Sequence, residues 1–320
     1  MTRLLREADV AQVLDMDAVI AAITGAMREL GEGKAQNEPR RRAFAPGALL
    51  NVMFAAYPGG GCMGLKAYTV AGGQVRFLVT VFALDGSLTA LIDADLLGAY
   101  RTGAATAVAV RALAPKGPLV VALFGSGHQA GTQALALSRV LEISELRVFS
   151  PTQAHREAFA AERAAALKLN VVPAASAEAA VRGANVIVAS TTSTEPVLQA
   201  DWVEPAALVV GAGSNFPNRS EIPADLVARA QTIVVDQLAT ARLESGDLIA
   251  AQKAGKFEWE RAIELASVLL GGWKAPETPG ITLFESHGLA LWDLAAASTV
   301  LPAAEKQGLG EVVEVFPPAG

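Results

Sequence analysis

Leu119-Val120-Val121-Ala122-Leu123-Phe124 runs straight into Gly125-Ser126-Gly127-His128-Gln129-Ala130, and these twelve residues decide how the chain is read. The first six are an unbroken apolar run, of a length that suits a strand buried on both faces. The next six carry the spacing Gly-x-Gly-x-x-Ala, and an Ala-rich segment with helical periodicity begins at once. Strand, tight turn and helix in that order place the N–H groups of a helix start where they can meet a pyrophosphate. Gly125 permits the turn, Gly127 lets the backbone approach phosphates, and Ala130 keeps helix and strand close. Ser126 and Gln129 fill the turn, and His128 is read as capping it or touching phosphate. A dinucleotide is the expected ligand of this segment.

Outward from the turn, toward the C-terminus, strand and helix patterns alternate. Helices are expected over 128–141, 153–168 and 176–182. Strands are expected at Leu146–Phe149, Val171-Val172, Val186–Ser190, Leu208–Val210 and Thr232–Val235. That order implies a parallel sheet with helices on both faces. Upstream the texture differs, and Pro115-Lys116-Gly117-Pro118 marks the change. Residues 8–31 read as one amphipathic helix, and Gly31–Arg42 as a polar connection. Residues 49–57, 63–70, 75–84 and 88–92 read as strands of a mostly antiparallel sheet, and 95–113 as a helix. Residues 286–307 read as a helix that returns to the N-terminal part. The expected fold class is α/β, with a Rossmann domain over 115–285 inserted in a discontinuous α+β domain made of 1–114 and 286–320.

The composition narrows the function. Of 320 residues, 52% are hydrophobic and 18% charged, which supports a large core. The net charge is −6, and the sole basic cluster is Arg40-Arg41-Arg42, so no nucleic-acid partner is expected. Cys62, the single cysteine, excludes an intrachain disulfide and a cysteine-based metal site, and is read as a small hydrophobe. No metal is expected. The first residues lack the pattern of a signal peptide, and no apolar run reaches the ~20 residues of a membrane span. A cytoplasmic protein without a membrane partner is expected.

The strand after the glycine turn ends at Phe149, where an NAD site commonly places an acid for the ribose 2′-hydroxyl. Here Ser150-Pro151-Thr152 follow, then His155 and Arg156. Ser150, Thr152 and Arg156 offer two hydroxyls and a cation suited to a 2′-phosphate, so NADP(H) is expected in preference to NAD(H). Ser190, Thr191 and Thr192 follow another strand of the same sheet, on the edge where ligands of parallel sheets bind, and are assigned to the cofactor as well.

Several segments, taken together, carry a resemblance. They are Gly64-Leu65-Lys66, Arg101-Thr102-Gly103-Ala104, the turn itself, Glu195-Pro196-Val197-Leu198, Gly213-Ser214-Asn215 with Arg219-Ser220-Glu221, Glu244-Ser245-Gly246-Asp247, and Leu283-Phe284-Glu285-Ser286-His287-Gly288. In this order, and over nearly the whole length, the chain resembles the ornithine cyclodeaminase/mu-crystallin family. The resemblance implies that the discontinuous domain dimerises and binds substrate. It also implies hydride chemistry at a carbon–nitrogen bond next to a carboxylate, on a small imino or amino acid.

Such a substrate needs cations for its carboxylate. Arg101 matches the family's arginine in the RTGA segment, and Arg41 the arginine of its Pro-x-Arg element. In an extended segment Arg41 points opposite to Arg40 and Arg42, and the sequence leaves open which face is inward. Lys66 stands in an apolar strand, where a lysine is costly unless paired or functional. It matches the family's active-site lysine and is assigned substrate binding and proton transfer. Asn215 stands where the cyclodeaminases carry an aspartate, and a neutral amide cannot act as a general base. His287 occupies a position where an apolar residue is expected and is entered as a candidate proton donor. The leading expectation is an NAD(P)H-dependent ketimine or cyclic imine reductase, or an alanine-dehydrogenase-like enzyme. A redox-neutral ornithine cyclodeaminase and a non-catalytic NADPH-gated binding protein are the alternatives.

Overall fold

A computed structural model describes residues 1–316. The chain opens with β1 (Thr2–Leu5), α1 (Glu7–Val13) and α2 (Met16–Gly31). Four long strands follow: β2 (Gln36–Ala45), β3 (Ala48–Tyr57), β4 (Cys62–Ala71) and β5 (Gln74–Ala83). Then come β6 (Leu88–Asp93), α3 (Asp95–Leu113), β7 (Leu119–Phe124), α4 (His128–Val140) and β8 (Ile143–Phe149). The middle continues through α5 (Gln153–Leu167), β9 (Val171–Pro173), α6 (Ala177–Val181), β10 (Val186–Ala189) and β11 (Leu208–Gly211). Next are α7 (Ala224–Arg229), β12 (Thr232–Val235), α8 (Leu238–Glu244), α9 (Gly246–Lys253) and β13 (Ala262–Glu264). The last elements are α10 (Leu265–Leu269), β14 (Thr282–Glu285), α11 (Ala290–Gln307) and β15 (Glu311–Val313).

Two compact units result: Met1–Arg101 with the chain from Leu289 onward, and Thr102–Gly288. The first division falls inside α3, upstream of the Pro115–Pro118 change in texture. The first unit holds a seven-stranded sheet in the order β15-β1-β6-β5-β4-β3-β2. β1 runs parallel to β6, and the other pairs are antiparallel. α11 packs on α2 and across β2 to β5. The expected single helix over 8–31 is two helices, because Asp15 caps α2 by accepting from the Ala18 N–H, and a cap ends one helix to start the next. The stretch taken as a polar connection is largely β2. Pro39 and three arginines hid it, and the β2–β3 register shifts between Glu38 and Arg41.

The second unit holds an eight-stranded, all-parallel sheet in the order β13-β12-β14-β11-β10-β7-β8-β9. The strand order reverses at β7, whose neighbours are β8 and β10; this is the switch point beside which ligands of such sheets bind. β14 enters between β11 and β12. β10, β11 and β12 are buried throughout, which is why they read as continuous apolar runs. No single helix among the described residues is long and apolar enough to cross a membrane.

Candidate active site

In the first unit, Lys66 lies in the middle of β4 and is 2% exposed. Its Nζ donates to Asp293 Oδ1 at 2.9 Å, and Arg101 Nε donates to the same oxygen at 3.2 Å. Asp293 sits in α11 at 1% exposure, and its Oδ2 has no partner among the described residues. One carboxylate thus holds two buried cations. Burial drives the Lys66 ammonium down to about 8, against the pull of Asp293 and with the help of Arg101 and Arg40. The Lys66 Nζ also stands over the Phe77 ring, and the Arg101 guanidinium over the Trp292 ring.

The arginine that joins this pair is Arg40, and the choice of Arg41 is corrected. Arg41 pairs with Val52 and shares its outward face, where it is exposed. Arg40, 4% exposed, turns to the inner face, 5.9 Å over the Tyr68 ring. Pro39 carries no N–H for the ladder, and the bulge there decides which arginine faces in. Asp293 was also missed. Its signal was present, since a lone acid within Leu289-Ala290-Leu291-Trp292-Asp293-Leu294-Ala295 on a buried helix demands a partner.

In the second unit, the glycine turn joins β7 to α4. Gly125 has φ +115°, and a Cβ there would lie 2.5 Å from the Ser190 carbonyl oxygen, so only glycine fits. Gly127 is the N-cap of α4, and no side chain among the described residues caps the helix. A Cβ on Gly127 would meet nothing within 4 Å, and the first amides of α4 take no side-chain cap among the described residues. His128 and Gln129 are exposed there, and Ala130 is buried beneath them. These features fit a dinucleotide pyrophosphate. Ser126 Oγ donates to Ser150 Oγ at 3.0 Å. Arg156 Nη1 donates to the Ser150 carbonyl at 3.0 Å and the guanidinium stands over Phe149. Ser150, Thr152 and Arg156 therefore gather at the end of β8, and no acid is among them.

Ser190, Thr191 and Thr192 leave the end of β10. Ser190 is buried against Gly125, Thr192 is exposed, and Thr191 is bound to Glu221. Glu221 was not singled out from the sequence. Asn215 lies half-buried in the loop after β11. His287 is placed differently from a proton donor facing a ligand. Its ring is buried, with Nδ1 3.3 Å from Asp236 Oδ1 and Nε2 3.7 Å from Glu285 Oε2. Burial opposes its charge, but Asp236 and Glu285 outweigh that and push the imidazole up to about 10. It is the counter-cation of a buried acid cluster, which explains why a polar residue stands at an apolar position. Cys62 is buried, and burial pushes its thiol up to about 11, in keeping with a packing role.

A two-unit chain with a Rossmann-type sheet and a separate buried cation cradle defines the class. The model of the ornithine cyclodeaminase/mu-crystallin family matches residues 1–308, and the chain belongs to that family. The Delta(1)-pyrroline-2-carboxylate reductase 2 of Burkholderia ambifaria is 32% identical, over 91% of this chain and 93% of that protein. The structure of Thermococcus litoralis Delta(1)-pyrroline-2-carboxylate reductase in complex with NADH and L-proline is similar with a TM-score of 0.91 at 27% identity, covering 98% of this chain and 100% of that one. An archaeal alanine dehydrogenase dimer with bound NAD is similar with a TM-score of 0.92 at 28% identity, covering 98% and 99%.

Proposed function

We propose that the chain is an NAD(P)H-dependent oxidoreductase acting on the carbon–nitrogen bond of a small imino or amino acid, as ketimine and cyclic imine reductases and alanine dehydrogenases do. The observation that carries this reading is the pair of buried cations, Lys66 and Arg101, held on one oxygen of Asp293, with the charge of Arg40 close to Lys66. Lys66 and Arg101 share that one buried carboxylate, and a substrate carboxylate would give them a second counter-charge. Arg101 and Arg40 would bind that carboxylate, their guanidinium groups fixing its orientation. Lys66, brought near neutrality by burial, holds a proton at Nζ that it can deliver to an imine nitrogen or recover from an amine. Asp293 keeps Lys66 and Arg101 in place. Gly125, Ser126, Gly127 and the first amides of α4 would hold the pyrophosphate. When bound, the dinucleotide supplies or takes up the hydride.

Ser150, Thr152 and Arg156 support a preference for NADP(H) over NAD(H). Asn215 supports a reductase or dehydrogenase over a cyclodeaminase, since its amide neither takes a proton nor pairs with a second ammonium. A homodimer is part of the reading. The outer face of the β2–β5 sheet exposes Leu50, Phe54, Met63 and Leu78, an apolar patch that a second copy would cover. A cytoplasmic location fits the lone, buried cysteine. The test mixes the protein with NADPH and, separately, with NADH, against a panel of imines: pyrroline-2-carboxylate, piperideine-2-carboxylate, and pyruvate with ammonia. Substrate-dependent loss of reduced cofactor is expected. No oxidation across the panel sinks the proposal, and proline plus ammonia from ornithine without net cofactor change replaces it with the cyclodeaminase.

A further inference from the structure

Glu221 lies in the loop between β11 and α7 and is almost fully buried. Its two oxygens take three bonds, two from the loop after β10 and one from the start of its own loop. Oε1 accepts from the Thr191 N–H at 2.7 Å and from the Thr191 hydroxyl at 2.6 Å. Oε2 accepts from the Gly213 N–H at 2.7 Å. Thr191 belongs to the loop that leaves β10, and Gly213 to the loop that leaves β11 and leads to Asn215. A side chain at position 213 would collide with Glu221 Oε2 and the Thr191 carbonyl, so the fit is made for glycine on one side and a carboxylate on the other. Glu221 is itself pinned: its N–H donates to Asp247 Oδ1 at 2.8 Å, and its carbonyl accepts from the Val197 N–H at 2.9 Å.

The chain of contacts continues to the glycine turn. Ser190 precedes Thr191, and the Ser190 carbonyl is the atom against which Gly125 is packed. The ends of β7, β10 and β11 are adjacent in the sheet. One buried carboxylate therefore sets the backbone of two loops on the ligand edge and backs the turn beside them. All three partners are donors. A carboxylate accepts at both ends, whereas a glutamine would turn an NH2 toward a donor.

We propose that Glu221 is a positioning residue for the dinucleotide, acting through Thr191, Gly213 and the Ser190–Gly125 contact, and that it must be ionised to do so. The inference rests on the reading of the second unit as a dinucleotide-binding unit. Burial pushes the Glu221 carboxyl up to about 7, against the three bonds that favour its ionised form. The charged groups that face it are Asp247 from α9 and Glu285 at the end of β14, with His287 beside Glu285 as the nearby cation. Dinucleotide affinity in the wild type should therefore weaken as pH falls from 8 to 6.

The experiment is a fluorescence titration of the full chain with NADH, which has no 2′-phosphate to titrate, from pH 6 to pH 8. Wild type, Glu221→Gln and Thr191→Val are compared, with thermal melting alongside. The wild type should lose affinity toward pH 6. Glu221→Gln should bind about tenfold more weakly at pH 8, the scale of a lost charge-assisted bond, and show a flat pH profile. Thr191→Val removes the hydroxyl's bond to Glu221 and the one it accepts from the Ser193 N–H, and spares the carboxylate, so it should bind a few-fold more weakly and keep the wild-type pH slope. If Glu221→Gln does not fold, the Thr191→Val profile and the wild-type slope decide. Wild-type affinity, or a wild-type pH slope, in Glu221→Gln overturns the inference while leaving the dinucleotide reading intact, as does unaltered affinity in Thr191→Val. A wild type that binds no dinucleotide overturns both.

Discussion

A single oxygen, Asp293 Oδ1, accepts from both Lys66 and Arg101, and this economy makes the residue critical. Asp293→Asn keeps the volume and leaves two buried cations without their counter-charge. It should cost about 3–5 kcal/mol in urea unfolding, as breaking a buried pair does. Lys66 carries its own signature in the pH profile. Its folded pKa lies below the ordinary lysine value, so its proton is lost as pH rises through about 8. Imine reduction should fall across that range, and Lys66→Met should abolish turnover while NAD(P)H binding, measured by fluorescence, is kept. The two neighbouring arginines divide sharply. Arg40→Met should raise the KM of a carboxylate substrate at least tenfold, whereas Arg41→Met should leave it within about twofold. Lys66 was legible in the sequence because a lysine inside an apolar strand announces itself, and Arg101 through the resemblance that its Arg101-Thr102-Gly103-Ala104 segment carries. Arg40 was not, because Pro39 and its bulge reset an alternation that otherwise runs with period two. Asp293 left a signal as a lone acid in an apolar helix, but its partner Lys66 lies 227 residues away and only folding joins them.

Among elements, the β7–α4 junction was the most legible, since every requirement is local: an apolar run, a glycine at positive φ, a small residue inside the helix. The place of β14 was hidden for the opposite reason. A strand that enters a parallel sheet between β11 and β12 leaves no trace of its place in its own sequence, because its buried neighbours share the same apolar texture. His287 shows a similar limit. Its odd position could be seen, but the acids around it come from Asp236 at the end of β12 and Glu285 at the end of β14. The end of β8 carries the cofactor prediction. Arg156→Ala should weaken NADPH binding about tenfold and leave NADH binding unchanged, and equal losses for both cofactors would refute the 2′-phosphate role.

For the whole molecule, the outer face of the antiparallel sheet is the surface that the proposed dimer would cover. Phe54, 50% exposed, stands on that face with Leu50 on the same strand. Phe54→Asp should shift sedimentation from dimer to monomer while the glycine turn still binds dinucleotide. A monomeric wild type would remove the dimer from the reading. The order in which the chain is made adds one more consequence. The second unit is continuous from Thr102 to Gly288 and has all its strands before the last helix is synthesised. The first unit lacks α11 and β15 until the end, and with α11 it lacks Asp293. Until then Lys66 and Arg101 have no counter-charge to be buried with. N-terminal-first folding therefore cannot complete the first unit, because its own last helix carries the counter-charge of its buried cations.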